Sequence, residues 1–246
     1  MNLHNKNILI VKQSSLGDII HTLPVVHALK RCHPEGRIGW LVQETFAGIP
    51  AHDPAVDRVY PVAINSTSDP HAGSTAYFRA AVQTAHTFLR MRKLMHAEPY
   101  DLVLDLHASF RSGLLSMANP GGTRIGFKDA RELNPLFHHD SIPVPGHVVH
   151  ALDRNLLFCS YLNCPAEDQD FFLWSGERAD QQVDDFLGEA GVSREQKIVY
   201  LNPAARWRTK FWPAERWAAL ADRLQGEGIR PVLAGSGQDV PYIAAL

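Results

Sequence analysis

The sequence predicts an α/β protein built on a parallel sheet, and two observations lead to this fold class. Strand-like apolar runs alternate with helix-like segments along the chain, which is the pattern of a parallel sheet covered by helices on both faces. The first apolar run, Ile8–Val11, leads through a small polar loop into a segment with helical spacing. In an open sheet such turns lie at the carboxyl ends of the strands, where ligands bind.

The first half of the chain contains enough predicted elements for one complete lobe. The pattern predicts strands over residues 7–12, 37–42, 58–62, 102–106 and 123–127, and helices over 19–32, 76–96 and 112–118. Pro34 and Pro99 mark ends of helices. A Pro-Val-Pro-Gly stretch at 143–146 closes this unit, and residues 147–162 then predict a long helix that bridges two lobes.

The second half predicts a helix over 178–190, a strand over 198–202, a helix over 213–225 and a strand over 231–234. Two parallel strands with their crossovers leave too much apolar surface uncovered for a stable sheet. We therefore expect an amino-terminal lobe over residues 1–165 and a partial carboxyl-terminal lobe over 166–246. A small lobe completed by dimerisation is the alternative.

The composition excludes several classes of protein. The chain has 246 residues, 45% of them apolar and 20% charged, which is typical of a soluble globular protein. A formal net charge of -2 gives no general affinity for nucleic acid. The sequence shows neither an apolar window as long as a membrane span nor a secretory signal, so we expect a cytoplasmic protein.

The cysteines and histidines predict no metal site. Cys32, Cys159 and Cys164 form an odd and irregularly spaced set, which favours reduced, buried thiols over a disulfide framework or a zinc site. The 13 histidines are scattered without the spacing of metal ligands. We expect neither a metal nor a cofactor.

The turn after the first strand carries a lone carboxylate, Asp18. Backbone amides at a helix start favour anions, so a carboxylate at this place would repel a phosphate bound directly on the turn. Asp18 therefore faces a neutral or hydroxyl-bearing substrate and acts as a base. The structural alternative is that Ser14 and Ser15 cap the helix, with Asp18 in its first turn against the helix dipole.

Other polar residues follow predicted strands. Asp105, His107 and Arg111 come after the strand at 102–106, where they either contact a ligand or form a turn with a capping aspartate. A glycine loop that ends at Asp239 follows the last predicted strand and resembles a phosphate or ribose site. His150, Asp153 and Arg154 share one helix face, which predicts a local ion-pair network.

Four sequence blocks resemble the bacterial lipopolysaccharide heptosyltransferases of glycosyltransferase family nine. The first block, residues 11–24, is similar to the amino-terminal signature of this family. The other three, residues 105–113, 150–155 and 201–213, agree with the family in order and spacing. One such block alone is a weak signal, whereas four in register across nearly the whole chain are a strong one.

The resemblance implies a GT-B-like fold with two Rossmann-like lobes and parallel sheets, the second lobe being incomplete in this chain. It implies an inverting transfer of heptose from ADP-L-glycero-D-manno-heptose to the Kdo or heptose of the lipopolysaccharide inner core, without a metal ion. The acceptor is linked to lipid A, so a peripheral contact with the inner membrane surface is implied too. The family pattern continues past Leu246 into a block that forms much of the nucleotide-sugar pocket.

The resemblance also assigns roles to residues of this chain. Asp18 matches the general base. The residues assigned to acceptor binding are Lys12, Ser14, Ser15, Gly17, His107 and Arg111, and those assigned to donor binding are Lys210, Arg206, Ala204, Ala205 and Asp239. Because other members carry hydroxyl residues at positions 204 and 205, any phosphate contact there has to come from backbone amides.

Two other functions are the alternatives to a transferase. A nicotinamide-dependent oxidoreductase would use a similar sheet, but the first turn lacks the Gly-x-Gly-x-x-Gly fingerprint of dinucleotide binding. A noncatalytic sugar- or lipid-binding lobe that has lost its donor half is the other alternative.

Overall fold

The computed structural model describes residues 6–63, 74–193, 195–205 and 208–246. The chain divides into two compact units, Met1–Gly176 and Glu177–Leu246.

The first unit is built on a six-stranded parallel sheet. Its strands are β1 (Ile8–Val11), β2 (Ile38–Gln43), β3 (Arg58–Val62), β4 (Leu102–Asp105), β5 (Thr123–Phe127) and β6 (Asp140–Ile142), in the order β3-β2-β1-β4-β5-β6. The five predicted strands are confirmed. The sequence did not predict β6, because three residues with one apolar side chain carry no readable period. All six strands are parallel, and the chain adds β2 and β3 on one side of β1 and β4 to β6 on the other, so the strand order reverses between β1 and β4 and makes a crevice there.

The helices of the first unit are α1 (Leu16–Ile20), α2 (Leu23–Cys32), α3 (Gly48–His52), α4 (Ser74–Ala97), α5 (Phe110–Ser116) and α6 (Ala151–Tyr161). The single helix predicted over 19–32 is wrong, because the chain breaks at His21 and Thr22 between α1 and α2. Pro24 lies in the first turn of α2 and has no N–H to continue a preceding helix. The helix predicted from residue 147 begins at Ala151, where the His150 side chain caps it.

The sheet separates two apolar cores. Alternate residues of β1 point to opposite faces, so that Ile8 and Ile10 pack with α2 and α6, while Leu9 and Val11 pack with α4 and α5. All four side chains are at most 1% exposed. Burial of one such side chain contributes about 1.5–3 kcal/mol. These strands are therefore the rigid support of the turns that follow them.

The end of α2 anchors the segment that follows α6. Cys32 forms a disulfide with Cys164, so the prediction of reduced thiols is wrong for this pair. The two residues lie 132 positions apart, and their spacing could not show that α2 and the turn after α6 meet. The third cysteine, Cys159, is free and buried. Next to the disulfide, Arg31 forms ion pairs with Glu167 at 3.0 Å and Asp170 at 2.9 Å.

The second unit contains α7 (Glu177–Glu189), β7 (Ile198–Leu201), α8 (Ala214–Gly226), β8 (Arg230–Leu233) and α9 (Val240–Ile243). β7 and β8 pair in parallel, in register Ile198 with Arg230. Large apolar side chains remain exposed on this unit, among them Phe186 at 59% and Tyr200 at 66%. In the described parts of both units, no helix is long and apolar enough to cross a membrane.

Candidate active site

A cavity of about 450 Å³ lies at the carboxyl ends of β1 and β4. The two strands are neighbours, with Val11 opposite Asp105, so the loops that follow them meet at this edge. The cavity is lined by Lys12, Asp18, Leu106, His107, Ala108, Asp129, Ala130, Arg131, Glu132, Ala151, Arg154 and Asn155. It occupies the crevice at which open α/β sheets bind their ligands.

Asp18 lies in the first turn of α1 and reaches this cavity. The backbone N–H and the hydroxyl of Ser15 both donate to its Oδ2, each at 2.9 Å. The other oxygen, Oδ1, lies 3.4 Å from Nζ of Lys12. The side chain of Asp18 is 35% exposed. Ser15, and not Ser14, is thus the N-cap residue of α1, with Asp18 in the first turn as the structural alternative expects. Asp18 also keeps an accessible carboxylate oxygen.

The surroundings of Asp18 keep it ionised. Burial by itself raises the pKa of this carboxyl, but the Ser15 hydrogen bonds and the Lys12 charge outweigh it and hold the pKa below its ordinary value. Burial also lowers the pKa of Lys12, against the opposing effect of Asp18 and Asp105. Nζ of Lys12 donates to the carbonyl of Leu106 at 2.9 Å, which fixes it beside the carboxylate.

Asp105 shapes the floor of the cavity without lining it. Its side chain is fully buried, and its carboxylate accepts hydrogen bonds from the backbone of His107 and Ala108 and from the side chains of Ser112, Asn134 and His138. Burial raises the pKa of Asp105, but the hydrogen bonds from His138 and Asn134 outweigh burial and lower it. Of the two expectations for Asp105, the structure therefore shows the turn that organises the loop.

A glycine makes room for one of these partners. A Cβ atom on Gly126 in β5 would lie 1.9 Å from the ring of His138. The ring can therefore lie against the strand and reach Asp105, at 3.3 Å from Nε2 to Oδ2. This contact could not be predicted from the sequence, since the two residues come from different elements.

Of the predicted acceptor residues, Lys12 and His107 line the cavity and the others do not. Burial is the main cause that lowers the pKa of His107, so its imidazole is neutral near pH 7 and can donate or accept a hydrogen bond. Ser14, Ser15 and Gly17 lie beside the cavity in the loop and in α1, but they are not among its lining residues.

Arg111 lines a second groove, of about 350 Å³, between α4 and α5. Its neighbours there include Ala81, Phe110 and Leu114. Glu132 lines both the groove and the cavity of Asp18, so the two are adjacent. The structure thus brings Lys12, Asp18 and His107 together and leaves Arg111 on the neighbouring surface.

Charged residues from the loop after β5 complete the cavity. Arg154 forms two hydrogen bonds with Asp129, at 2.9 and 2.7 Å, and its guanidinium lies 4.2 Å from the ring centre of Phe127. The predicted ion-pair network within the helix is therefore wrong, because Arg154 pairs with this loop and His150 caps α6. Asp129 lies two residues after the predicted strand at 123–127, and this position is the signal that could have identified the loop.

In the second unit, the predicted donor residues follow β7 and β8. Ala204 and Ala205 come after β7, and Lys210 is exposed in the turn Arg208–Lys210. Asp239 follows β8, and Oδ2 of its carboxylate accepts from the backbone and the hydroxyl of Ser236, at 2.8 and 2.6 Å. These hydrogen bonds lower the pKa of Asp239. Arg206 lies outside the described residues.

No cluster of histidine, cysteine, aspartate and glutamate that could hold a metal ion occurs in the described ranges. The cavity is lined instead by three carboxylates (Asp18, Asp129 and Glu132), the neutral imidazole of His107 and three cations (Lys12, Arg131 and Arg154). This set of groups suits proton transfer and the binding of a polar, anionic ligand.

The strand order and the crevice define the first unit as a Rossmann-like lobe, and the whole chain aligns with GT-B-type glycosyltransferases. A glycosyl transferase of family 9 from Veillonella parvula superposes with a TM-score of 0.84 at 20% identity, covering 100% of this chain and 66% of that one. The E. coli heptosyltransferase WaaC with ADP-2-deoxy-2-fluoro heptose gives a TM-score of 0.68 at 29% identity, covering 95% of this chain and 70% of that one.

Sequence comparison identifies the family. The profile of glycosyltransferase family 9 (heptosyltransferase) matches residues 88–244. Lipopolysaccharide heptosyltransferase 1 of Pseudomonas aeruginosa is 32% identical in an alignment of 237 residues, which covers 90% of this chain and 58% of that protein. Lipopolysaccharide heptosyltransferase 1 of Escherichia coli K12 is 31% identical in an alignment of 229 residues, which covers 91% of this chain and 66% of that protein. The chain belongs to glycosyltransferase family 9, the heptosyltransferases, and spans between 58% and 66% of the length of these two relatives.

Proposed function

We propose that the protein transfers a heptose from an ADP-activated donor to the inner core of lipopolysaccharide, with inversion at the anomeric carbon and with Asp18 as the general base. The observation that carries this proposal is the ionised, half-buried carboxylate of Asp18 in the cavity at the β1/β4 crevice. Family membership supports the transferase over a noncatalytic binding lobe and over a dinucleotide-dependent oxidoreductase.

The two carboxylate oxygens of Asp18 have different tasks in this proposal. Ser15 holds Oδ2, so Oδ1 is the oxygen that accepts the proton of the acceptor hydroxyl. A carboxylate with a lowered pKa is a weak base, so the proton leaves the hydroxyl late, as its oxygen bonds to the anomeric carbon and the bond to ADP breaks. Attack from the face opposite ADP inverts the configuration.

The charges around Asp18 support an anionic acceptor. Lys12, Arg131 and Arg154 line the cavity together with the carboxylates of Asp129 and Glu132, and Arg154 is paired with Asp129. The cations of Lys12 and Arg131 suit carboxylates such as those of Kdo. His107 is neutral and can hydrogen-bond a sugar hydroxyl without adding charge. The acceptor in this proposal is the sugar region of a lipid A-linked inner core.

The donor in this proposal is ADP-L-glycero-D-manno-heptose, bound by the second unit. ADP carries the negative charge that develops as the glycosidic bond breaks, so a cation is needed near its phosphates. Lys210 is exposed just before α8 and supplies that cation, with Arg206 as a second one. Backbone amides at Ala204 and Ala205 contact the phosphates, and Asp239 accepts from hydroxyls of the nucleotide.

The substitution Asp18→Asn in the whole protein tests the assignment of the base. We expect turnover to fall by a factor on the order of 100 or more, with little change in the affinity for ADP-heptose, because only proton transfer is removed. Asp57→Asn is the matched control, since Asp57 pairs with Lys30 at the other end of α2. Heptose transfer at a near-normal rate by Asp18→Asn would disprove the role of this residue.

A peripheral contact with the cytoplasmic face of the inner membrane is also part of the proposal, and the outer face of α4 supports it. No acidic residue occurs in the sequence of α4, whereas Arg90, Arg92 and Lys93 lie exposed on it beside Leu89, which is 66% exposed. Such a helix face is attracted to anionic lipid headgroups by about 1 kcal/mol for each cation.

Sedimentation of this chain with phosphatidylglycerol vesicles measures that contact. The double substitution Arg92→Glu and Lys93→Glu should weaken binding roughly tenfold or more, because it reverses two charges. Arg223→Glu on α8 is the control, since the side chain of Arg223 is 81% exposed but lies on another helix. Equal binding by all three proteins, or equal binding to neutral phosphatidylcholine vesicles, would contradict the α4 surface.

A further inference from the structure

The helix that carries Asp18 is too short to hold its own position. α1 has five residues, and an isolated helix of that length does not form in water because nucleation costs more than the few hydrogen bonds return. Its orientation must therefore come from contacts with the rest of the unit. One such contact is the side chain of Ile19, which is fully buried in the core next to α2.

A second contact is a chain of hydrogen bonds from α6. Nδ2 of Asn155 donates to Oγ1 of Thr22 at 3.2 Å, and Oγ1 of Thr22 donates to the carbonyl oxygen of Asp18 at 2.8 Å. The direction of this chain is fixed, because an amide NH₂ only donates and a carbonyl only accepts. The single hydroxyl proton of Thr22 therefore goes to Asp18.

Asn155 also stabilises the break between α1 and α2. Its Nδ2 donates to the carbonyl of His21 at 3.1 Å. This carbonyl lies where the helix is interrupted, and Pro24 has no N–H to offer to the preceding turn. Thr22 and Asn155 are 0% and 2% exposed, so water does not replace these hydrogen bonds.

We propose that Thr22 and Asn155 are positioning residues that lock α1 onto α6 and so hold the carboxylate of Asp18 beside Lys12 in the cavity. This inference rests on the proposed role of Asp18 as the base. Thr22 does not line the cavity, and it acts through the backbone of Asp18. Asn155 lines the cavity and joins its α6 wall to the helix of the base.

Two substitutions of Thr22 separate the effect of its hydroxyl from the effect of its side-chain volume. Thr22→Val keeps the volume and removes the hydroxyl, whereas Thr22→Ser keeps the hydroxyl. Thr84→Val is the matched control, because Thr84 is also buried and also donates to a carbonyl four residues earlier, that of Ala80. It lies on α4, on the other face of the sheet.

The first measurement uses this chain and needs no activity. A ¹³C NMR titration follows the Asp18 carboxyl, whose pKa lies below its ordinary value because of the geometry around Ser15 and Lys12. Thr22→Val should move this pKa toward the ordinary value. Thr22→Ser and Thr84→Val should leave it unchanged.

The second measurement is steady-state kinetics of the whole protein. Thr22→Val should lower kcat about tenfold with an unchanged KM for the donor, because a misplaced base affects the transition state and not donor binding. Thr22→Ser, which keeps the hydroxyl, should have the kcat of the wild type. Asn155→Leu should lower kcat as well. In the Thr22→Val/Asn155→Leu double variant, the fall in kcat should be smaller than the product of the two single falls, since both substitutions break the same chain of hydrogen bonds.

The inference is overturned if Thr22→Val lowers the melting temperature but leaves the Asp18 titration and kcat as in the wild type. It is overturned too if Thr84→Val changes either quantity as much as Thr22→Val does. If Thr22→Val does not fold, Asn155→Leu tests the inference by the same two measurements, and an unchanged Asp18 titration with an unchanged kcat would overturn it. Asp18→Asn with normal turnover would refute the proposed base, whereas the NMR titration would still report whether Thr22 positions its carboxylate.

Discussion

Raising the pH above neutrality should destabilise the first unit through one buried histidine, His27 on α2. Nδ1 of its ring lies 2.7 Å from the carbonyl oxygen of Asp170, and Nε2 lies 2.8 Å from Oδ2 of Asp53. A carbonyl and an ionised carboxylate only accept, so both ring nitrogens carry protons. The ring stacks on Phe172 with centroids 3.8 Å apart. His27 is therefore an imidazolium that holds the segment after α6 against α2.

The direction of the effect follows from the pKa of this group. Burial lowers the pKa of His27, but the hydrogen bonds to Asp53 and Asp170 and the charges of both carboxylates outweigh burial and raise it. Arg31 faces the same cluster through its ion pair with Asp170. Because the pKa of His27 is higher in the folded than in the unfolded state, its contribution to stability is fully present below the pKa of the unfolded state, about 6.5. That stabilisation is lost as the pH rises through the folded-state pKa.

The magnitude follows from the bonds that deprotonation removes. A neutral imidazole has one N–H, so it can serve only one of its two acceptors and leaves the other buried without a donor. A hydrogen bond to a charged group contributes about 1.5–3 kcal/mol. We expect the free energy of unfolding to fall by about 1.5–3 kcal/mol as the pH rises from about 6.5 through the folded-state pKa of His27. The thiol of Cys159 does not titrate in this range, because burial raises its pKa to about 12.

Urea unfolding followed by circular dichroism at several pH values measures this loss. The variant His27→Gln cannot titrate, so its stability should lack this fall with pH while being lower than that of the wild type near pH 6. His86→Gln removes an exposed histidine of α4 and should behave as the wild type. The reasoning is refuted if the wild type and His27→Gln lose stability with the same slope above neutrality.

Two further predictions concern the second unit. Lys210→Ala should weaken the binding of ADP and slow transfer in the whole protein, because in our proposal Lys210 supplies the cation that meets the phosphates. Calorimetry with ADP measures the affinity, and an unchanged affinity and rate would contradict this role of Lys210. Hydrogen exchange on this chain should show slow amides in Leu102–Asp105 of β4 and much faster ones in Arg230–Leu233 of β8, since β4 is buried between neighbours and β8 is half-exposed in a two-stranded sheet. Equal protection in both strands would contradict this expectation.

The fold was largely predictable because most of the strands are clear apolar runs. Five of the six strands of the first unit and both strands of the second follow from apolar runs bounded by turn residues. The failures have physical causes. β6 is too short to show a period, and the break before α2 depends on Pro24 and on Asn155, which lies 133 residues beyond Thr22.

The site was predictable only in part. Asp18 and His107 could be found because each follows a predicted strand, and parallel strands end at one edge of the sheet. Arg154 could not be assigned, because its partner Asp129 comes from a loop 25 residues earlier and the pairing depends on tertiary packing. The disulfide between Cys32 and Cys164 could not be predicted for the same reason, since long-range contacts leave no local period in the sequence.

The two units use one local device for two different tasks. In each, a serine three residues before an aspartate donates its backbone N–H and its hydroxyl to one carboxylate oxygen, Ser15 to Asp18 and Ser236 to Asp239. This Ser-x-x-Asp arrangement is readable from sequence and fixes a carboxylate after a strand, but it does not make a base. Asp18 differs from Asp239 because its second oxygen lies beside the buried cation of Lys12 and inside a cavity. It is this surrounding, built by residues from β1, β4 and α6, that makes Asp18 and not Asp239 the candidate for proton transfer.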